Sequence, residues 1–206
     1  MATSDLFNLR KQLAFYGSYH SNPINIVIHV LFVPLIMWSF QVLAYDLGQP
    51  TFLPQVHYQF NDYLKFGITY GTLQGLLWLA YYYILDPTAA LLYTPQAILS
   101  VLTANAFAQR ADHIKIALIV HVASWVVQIG GHKFAEGRSP ALLDNPVNAL
   151  ILAPFFVHLE ILFKLGYKPA MYRQLQNDVG VEIAKLRKAE GDKNRAAGLA
   201  TGKRTH

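Results

Sequence analysis

Polar and apolar positions along the chain alternate in long blocks rather than in short amphipathic stretches. Residues 24–45, 66–85, 88–109, 116–131 and 146–163 are uncharged or nearly so, and short polar segments separate them. A run of about 20 apolar residues spans the ~30 Å hydrocarbon core of a bilayer as a helix. The first three runs meet that length. The fourth is shorter and ends at Gly130-Gly131, and the fifth is interrupted by Pro154, His158 and Glu160. The pattern predicts an all-α, polytopic membrane helical bundle with about four crossings. The fifth run is then re-entrant or buried. A short amphipathic helix over residues 5–19, with Leu6, Leu9, Leu13, Phe15 and Tyr16 set against Asp5, Arg10 and Lys11, is expected to lie at the interface or to pack on the body.

Punctuation sharpens the boundaries. Asn22-Pro23 pairs a good cap with the residue favoured in the first helical turn, so a helix starts at Pro23 and leaves His20 just outside it. Residues 46–65 read as a polar connection. Asp86-Pro87 stops one helix and starts the next. A further helix is expected over residues 171–188, followed by a Gly-, Ala- and Lys-rich disordered end. The division is a membrane-embedded, metal-binding helical domain over residues 1–170 and a basic cytosolic tail over 171–206.

Composition supports a membrane setting. Apolar residues make up 53% and charged ones 14%, against about a quarter charged in an average soluble domain. Mean hydropathy is +0.26. The segment from residue 164 onward holds 10 of the 17 Lys and Arg against four acids, which suits a cytosolic segment beside anionic lipid. That tail has no interleaved aromatics, so a nucleic-acid partner is not indicated. There is no cysteine, which excludes disulfides and thiolate metal sites. No phosphate loop, nucleophile elbow or HExxH motif is present. Gly67, Gly71 and Gly75, four residues apart, could pack helices within the chain or in a homodimer.

The candidate chemistry lies in the histidines. An ionisable group in an apolar run is a functional candidate, the alternative being a neutral imidazole bonded to a backbone carbonyl inside the bundle. His29, His121 and His158 fall in such runs, whereas His57, His113 and His206 suit solvated positions. His20 with His29 and His121 with His132 form two pairs that can meet around a metal. A straight helix holds residues 121 and 132 about 16 Å apart at ~1.5 Å per residue, too far for one ion. The expectation is that Gly130-Gly131 ends the helix and folds His132 back, and that Asn22-Pro23 frees His20. A two-metal site is the other solution. Imidazole ligands suit Fe, Zn, Cu or Ni alike. Asn25, Ser124, Gln128 and Glu136 are candidates to accept the second ring N–H of each ligand, or else to make ordinary helix and surface contacts. The fork of Arg138 could hold a substrate carboxylate, or a lipid headgroup.

The combination Tyr19-His20-Ser21-Asn22-Pro23-Ile24-Asn25 with Ile28-His29, then Ser124-Trp125, Gln128, Gly131-His132, Glu136, Pro140-Ala141-Leu142-Leu143, Ala153-Pro154 and Glu160, resembles the fungal 2-hydroxy-palmitic acid dioxygenase family of the endoplasmic reticulum. The resemblance covers residues 5–170. It implies an Fe(II)-dependent enzyme of fatty-acid α-oxidation in phytosphingosine breakdown. Its substrates are O2 and a long-chain 2-hydroxy fatty acid such as 2-hydroxypalmitate, shortened by one carbon with release of CO2. The family's essential histidines map onto His20, His29, His121 and His132. From the residues alone, a zinc-dependent lipid hydrolase and a non-enzymatic metal-binding or scaffold protein stand as alternatives.

Overall fold

The computed structural model describes residues 6–137 and 146–202. Among these residues, seven α-helices run in chain order: α1 Leu9–Ser18, α2 Pro23–Ala44, α3 Tyr70–Leu85, α4 Pro87–Phe107, α5 His113–Gly130, α6 Pro146–Lys164 and α7 Pro169–Gly202. A short 3-10 helix, Tyr45–Leu47, extends α2, and a π-helical segment, Gly131–Glu136, extends α5. The connection after α2 carries a small antiparallel hairpin, β1 His57–Gln59 against β2 Lys65–Gly67, where the sequence pattern suggested only a polar loop. The Asn61 side chain closes its tip by accepting from the backbone N–H of Tyr63 and Leu64.

α2 is the axis of the bundle. Asn22 caps it through Ile24 N–H, and Pro23 sits in the first turn. Its buried positions Asn25, His29, Val33 and Ile36 recur every three or four residues and form one inward stripe. Ile24, Val27, Leu31 and Leu35 line the other face and are exposed. A helix apolar on both faces is expected where one face meets protein and the other lipid. α5 lies antiparallel to α2, pairing His132 with His29 at one end and His121 with Ser39 at the other.

Among the described residues, three helical stretches are long and apolar enough to cross a membrane: Pro23–Leu47, Pro87–Phe107 and His113–Glu136. The expectation of four is corrected at α3. The 66–85 run is divided between β2 and a 16-residue helix, which is about 24 Å long at ~1.5 Å per residue. Buried polar bonds hold that division: Asn105 Nδ2 and the Thr72 hydroxyl both donate to the Gly67 carbonyl, at 3.3 and 2.7 Å.

The glycines of α3 are used inside the chain. A Cβ on Gly71 would meet the backbone of Gln41 at 2.9 Å, and one on Gly75 would meet Val101 at 3.2 Å, while Gly67 belongs to β2. The main apolar core lies beside the His20 end of α2, where α1, α6 and α7 bring Leu13, Tyr16, Leu152, Phe155, Phe156, Leu159 and Leu175 together with Tyr82. α7 continues to Gly202, well past residue 188. It is tied to α1 by a fork of Arg10 onto Asp178, with Arg10 also donating to Gln174 at 2.9 Å. The Arg10 hydrogen bonds hold the Asp178 carboxyl below the usual carboxylate range.

Candidate metal centre

His20, His29 and His132 converge. Their ring centroids lie 4.4 to 4.9 Å apart. One ligating nitrogen from each falls within 4.8 Å of the others, and all three residues are buried. Nitrogens sharing one ion at about 2.0–2.1 Å lie roughly 3–4 Å apart, so small side-chain rotations close the set. The donor set is available for a cation. His20 Nδ1 donates to the Tyr16 carbonyl and His29 Nδ1 to the Asn25 carbonyl, both at 2.9 Å. That fixes the tautomer with the Nε2 lone pair free. His20 Nε2 and His132 Nδ1 are buried with no hydrogen-bond partner. Such orphaned nitrogens are costly unless something else satisfies them. Burial first, and then the neighbouring His29 ring, push the His20 imidazole well below its ordinary pKa, so it is neutral as a ligand must be.

The local chain explains each position. His20 follows the last turn of α1, where the Tyr16 carbonyl, which accepts the Tyr19 N–H at 3.1 Å, has a second lone pair for the ring N–H, and its ring stacks on Tyr16 at 4.4 Å. The break at Asn22-Pro23 turns the chain so that His29, in the second turn of α2, faces back toward it. His132 arrives differently from the expectation. Gly130-Gly131 does not end the helix; the backbone stays right-handed helical and widens into the π-segment, a form common at functional sites. Gly131 permits this because its Cα lies against α2: a Cβ there would sit 2.7 Å from Asn25 Oδ1 and 3.1 Å from Ile28 Cδ1.

Because the helix continues, His121 stays about 16 Å along it from His132 at ~1.5 Å per residue. Both its nitrogens are engaged elsewhere. The Ser39 hydroxyl donates to the Ile36 carbonyl, so it accepts from His121 Nδ1 at 3.0 Å, and the Trp125 indole donates to His121 Nε2 at 3.1 Å. His121 therefore lies outside the cluster. His158 also lies elsewhere, beside Tyr93 and Phe155.

The expected partners of the ligands sort as follows. Glu136 does not touch the rings. It accepts from Ser21 N–H at 2.9 Å, the Ser21 hydroxyl, Asn22 N–H at 3.0 Å and Asn25 Nδ2 at 3.2 Å, locking the π-segment onto the start of α2. Asn22 Nδ2 adds a bond to the Ala135 carbonyl. Asn25 serves His29 through its backbone carbonyl, not its amide. Ser124 is buried on α5. Gln128 is buried with its Nε2 unpartnered. Arg138 lies outside the described residues.

The histidines head a cavity of about 160 Å³, lined mainly by apolar side chains that include Val33, Ile36, Met37, Trp125, Ala149 and Ala153. Gln128 also lines it, with Tyr16 and Trp125. Tyr16 and Ser39 carry no mark in the sequence as site residues, and Trp125 stood out only within the family resemblance. For Trp125 a signal existed: it stands four residues after His121, on the same helix face.

Residues 6–165 match the family described as 2-hydroxy-palmitic acid dioxygenase Mpo1-like. The chain belongs to this family. It is 33% identical over 183 residues to 2-hydroxy-palmitic acid dioxygenase MPO1 of Saccharomyces cerevisiae, covering 88% of this chain and 95% of that protein. No solved structure matches the chain. Membership in the Mpo1-like family together with the three-histidine cluster supports a metal-dependent oxidative enzyme of this general class, carried on several membrane-length helices.

Proposed function

We propose that this protein is an Fe(II)-dependent dioxygenase of the endoplasmic reticulum membrane. It converts a long-chain 2-hydroxy fatty acid and O2 to the one-carbon-shorter acid, CO2 and water, in phytosphingosine degradation. The observation that carries the reading is the convergence of three buried imidazoles at the head of a mainly apolar cavity. Three protein ligands leave coordination positions open for substrate and O2. The family resemblance favours iron over the other metals imidazole accepts, and the name of the yeast relative favours the substrate. The reaction balances without an outside reductant: a 2-hydroxy acid has three hydrogens on its reacting carbons and oxygens, and these leave as one carboxyl hydrogen and one water.

His20, His29 and His132 would hold the ion, which would supply Lewis acidity and O2 activation. The chain's own residues do the rest. The Tyr16 and Asn25 carbonyls keep His20 and His29 in one tautomer and orientation. Glu136 holds His132 in register by tying its segment to Ser21, Asn22 and Asn25. Gln128 Nε2, buried and without a partner, donates to a substrate oxygen. The walls formed by Val33, Ile36, Met37 and Ala153 take the acyl chain and exclude water from the carbon that is cut.

The test is metal content and oxygen uptake of anaerobically purified protein with 2-hydroxypalmitate, beside His132→Ala. Bound iron, with uptake matched by release of the shortened acid and both lost in the variant, is expected. Bound zinc without oxygen uptake would overturn the reading in favour of a hydrolase.

A further inference from the structure

Among the described residues, the cavity below the histidines is a slot open between α5 and α6. Its back wall is α2, through Val33, Ile36 and Met37; its flanks are α5 and α6. Among the described residues, α5 and α6 each pack on α2 without forming a packed interface with each other. The rim of the slot carries Ile129 on α5 and Leu150 on α6, which are 53% and 41% exposed. Both line the cavity as well. Ile129 continues an exposed apolar row on α5 with Val122 and Val126. That row belongs to a helix long and apolar enough to span a bilayer, so it is the surface lipid touches. Apart from Leu150, the α6 flank is made of small or flat residues, Ala149, Ala153 and Pro154, which project little into the slot.

Depth follows from the helices. Trp125 lies seven residues before His132, and Met37 eight after His29, about 10 and 12 Å at ~1.5 Å per residue. That accommodates roughly eight or nine methylenes at ~1.3 Å each, the zigzag projection of a ~1.5 Å carbon–carbon bond. A long acyl chain therefore overruns the slot, and among the described residues the side between α5 and α6 is the exit left to its remainder. The far end is closed by the Trp125 indole, which His121, itself bonded to Ser39, pins in place.

We propose that the substrate enters sideways from the bilayer, between α5 and α6 past Ile129 and Leu150, with only its first ten or so carbons (the slot depth above) held by protein and the rest left in lipid. This rests on the reading of the site as one for a long-chain 2-hydroxy acid. It adds the route and the consequence for selectivity. Transfer of methylenes from lipid to an apolar slot changes little free energy, so chains longer than the slot bind alike.

The test uses the absence of cysteine from the chain. Ile129→Cys and Val126→Cys are each reacted with a bulky hydrophobic maleimide in micelles, then returned to bilayers. Binding is read by quenching of tryptophan fluorescence by a 2-hydroxy acid brominated near carbon 8, with metal content as a control. Labelling at position 129 is expected to weaken binding at least tenfold, and labelling at position 126, on the same exposed row but outside the cavity lining, less than twofold. Chains of 12 to 20 carbons at equal mole fraction in the bilayer are expected to bind within about threefold of each other. Unchanged binding after labelling at position 129 would overturn the lateral route, as would a sharp cut-off between two chain lengths. Binding that follows the expectation without any oxygen uptake would leave the route standing and remove the dioxygenase reading.

Discussion

Replacing Gly131 by alanine sets helix propensity against packing at a point where the π-segment backbone comes close against α2. Propensity alone favours alanine over glycine by about 1 kcal/mol in a helix interior. At Gly131 the new Cβ would stand 2.7 Å from Asn25 Oδ1 and 3.1 Å from Ile28 Cδ1. Asn25 cannot swing aside freely: it is fully buried, and its amide donates to Glu136 at 3.2 Å. Overpacking of this kind typically costs about 1–3 kcal/mol, so the net effect is a loss of roughly 0–2 kcal/mol. The larger effect falls on the site. Pushing the segment off α2 carries His132 away from His20 and His29 and loosens the Glu136 bonds, and disturbed support of this kind lowers metal affinity about 10–100-fold. Gly130→Ala is the internal control, because its Cβ would meet only Phe134, at 4.0 Å. It should be neutral or gain up to about 1 kcal/mol. Thermal unfolding of the metal-free proteins and a competitive metal titration read the two effects. Equal Tm and equal metal affinity for the two variants would refute the close-approach argument.

His121→Ala should keep its metal while His20→Ala, His29→Ala and His132→Ala lose theirs, as read by metal analysis after dialysis; equal loss at position 121 would place that residue among the ligands. Glu136→Gln keeps the shape but sets an NH2 against the Ser21, Asn22 and Asn25 donors. A loss of about 1.5–3 kcal/mol and a 10–100-fold fall in metal affinity are expected from the same two assays, and no change in either would remove Glu136 from the support of the site. Asp178 has its pKa lowered by Arg10, so the α1–α7 link is fully present above the carboxyl's unfolded pKa and fades as pH falls through its folded value. Denaturant titrations across the acid range should show that decline in the wild type and a flatter profile in Asp178→Asn, with added salt reducing the difference; identical slopes would show that the pair contributes nothing.

Much of the fold was legible because the governing signals are local. Asn22-Pro23 and Asp86-Pro87 start helices through their own side chains and fixed φ, and a long uncharged run specifies a bilayer-length helix whatever surrounds it. The exception at residues 66–85 is instructive. Its composition is that of a span, but the Gly67 carbonyl is captured by Thr72 and by Asn105, 38 residues away. No pattern within the run records that bond.

At the site, residue identity was readable and residue geometry was not. Buried imidazoles in apolar runs are chemically conspicuous, and three of the four emphasised histidines meet. What separated the fourth was the behaviour of Gly130-Gly131. Glycine is compatible with a break and with a close approach alike, and only the presence of α2 against Gly131 selects the second. The acceptors of the ring N–H groups were hidden for a related reason. Every residue carries a carbonyl, so the Tyr16 and Asn25 backbones leave no mark in composition, whereas the amide and carboxylate side chains drew attention to themselves. The sequence by itself determined the helical membrane-length segments, their capped starts and the set of side chains able to bind a metal. The tertiary structure decided which of those side chains share a point in space, which serve as walls or ties, and that the gap between α5 and α6 opens toward the lipid-facing row, because each of these depends on contacts between segments far apart in the chain.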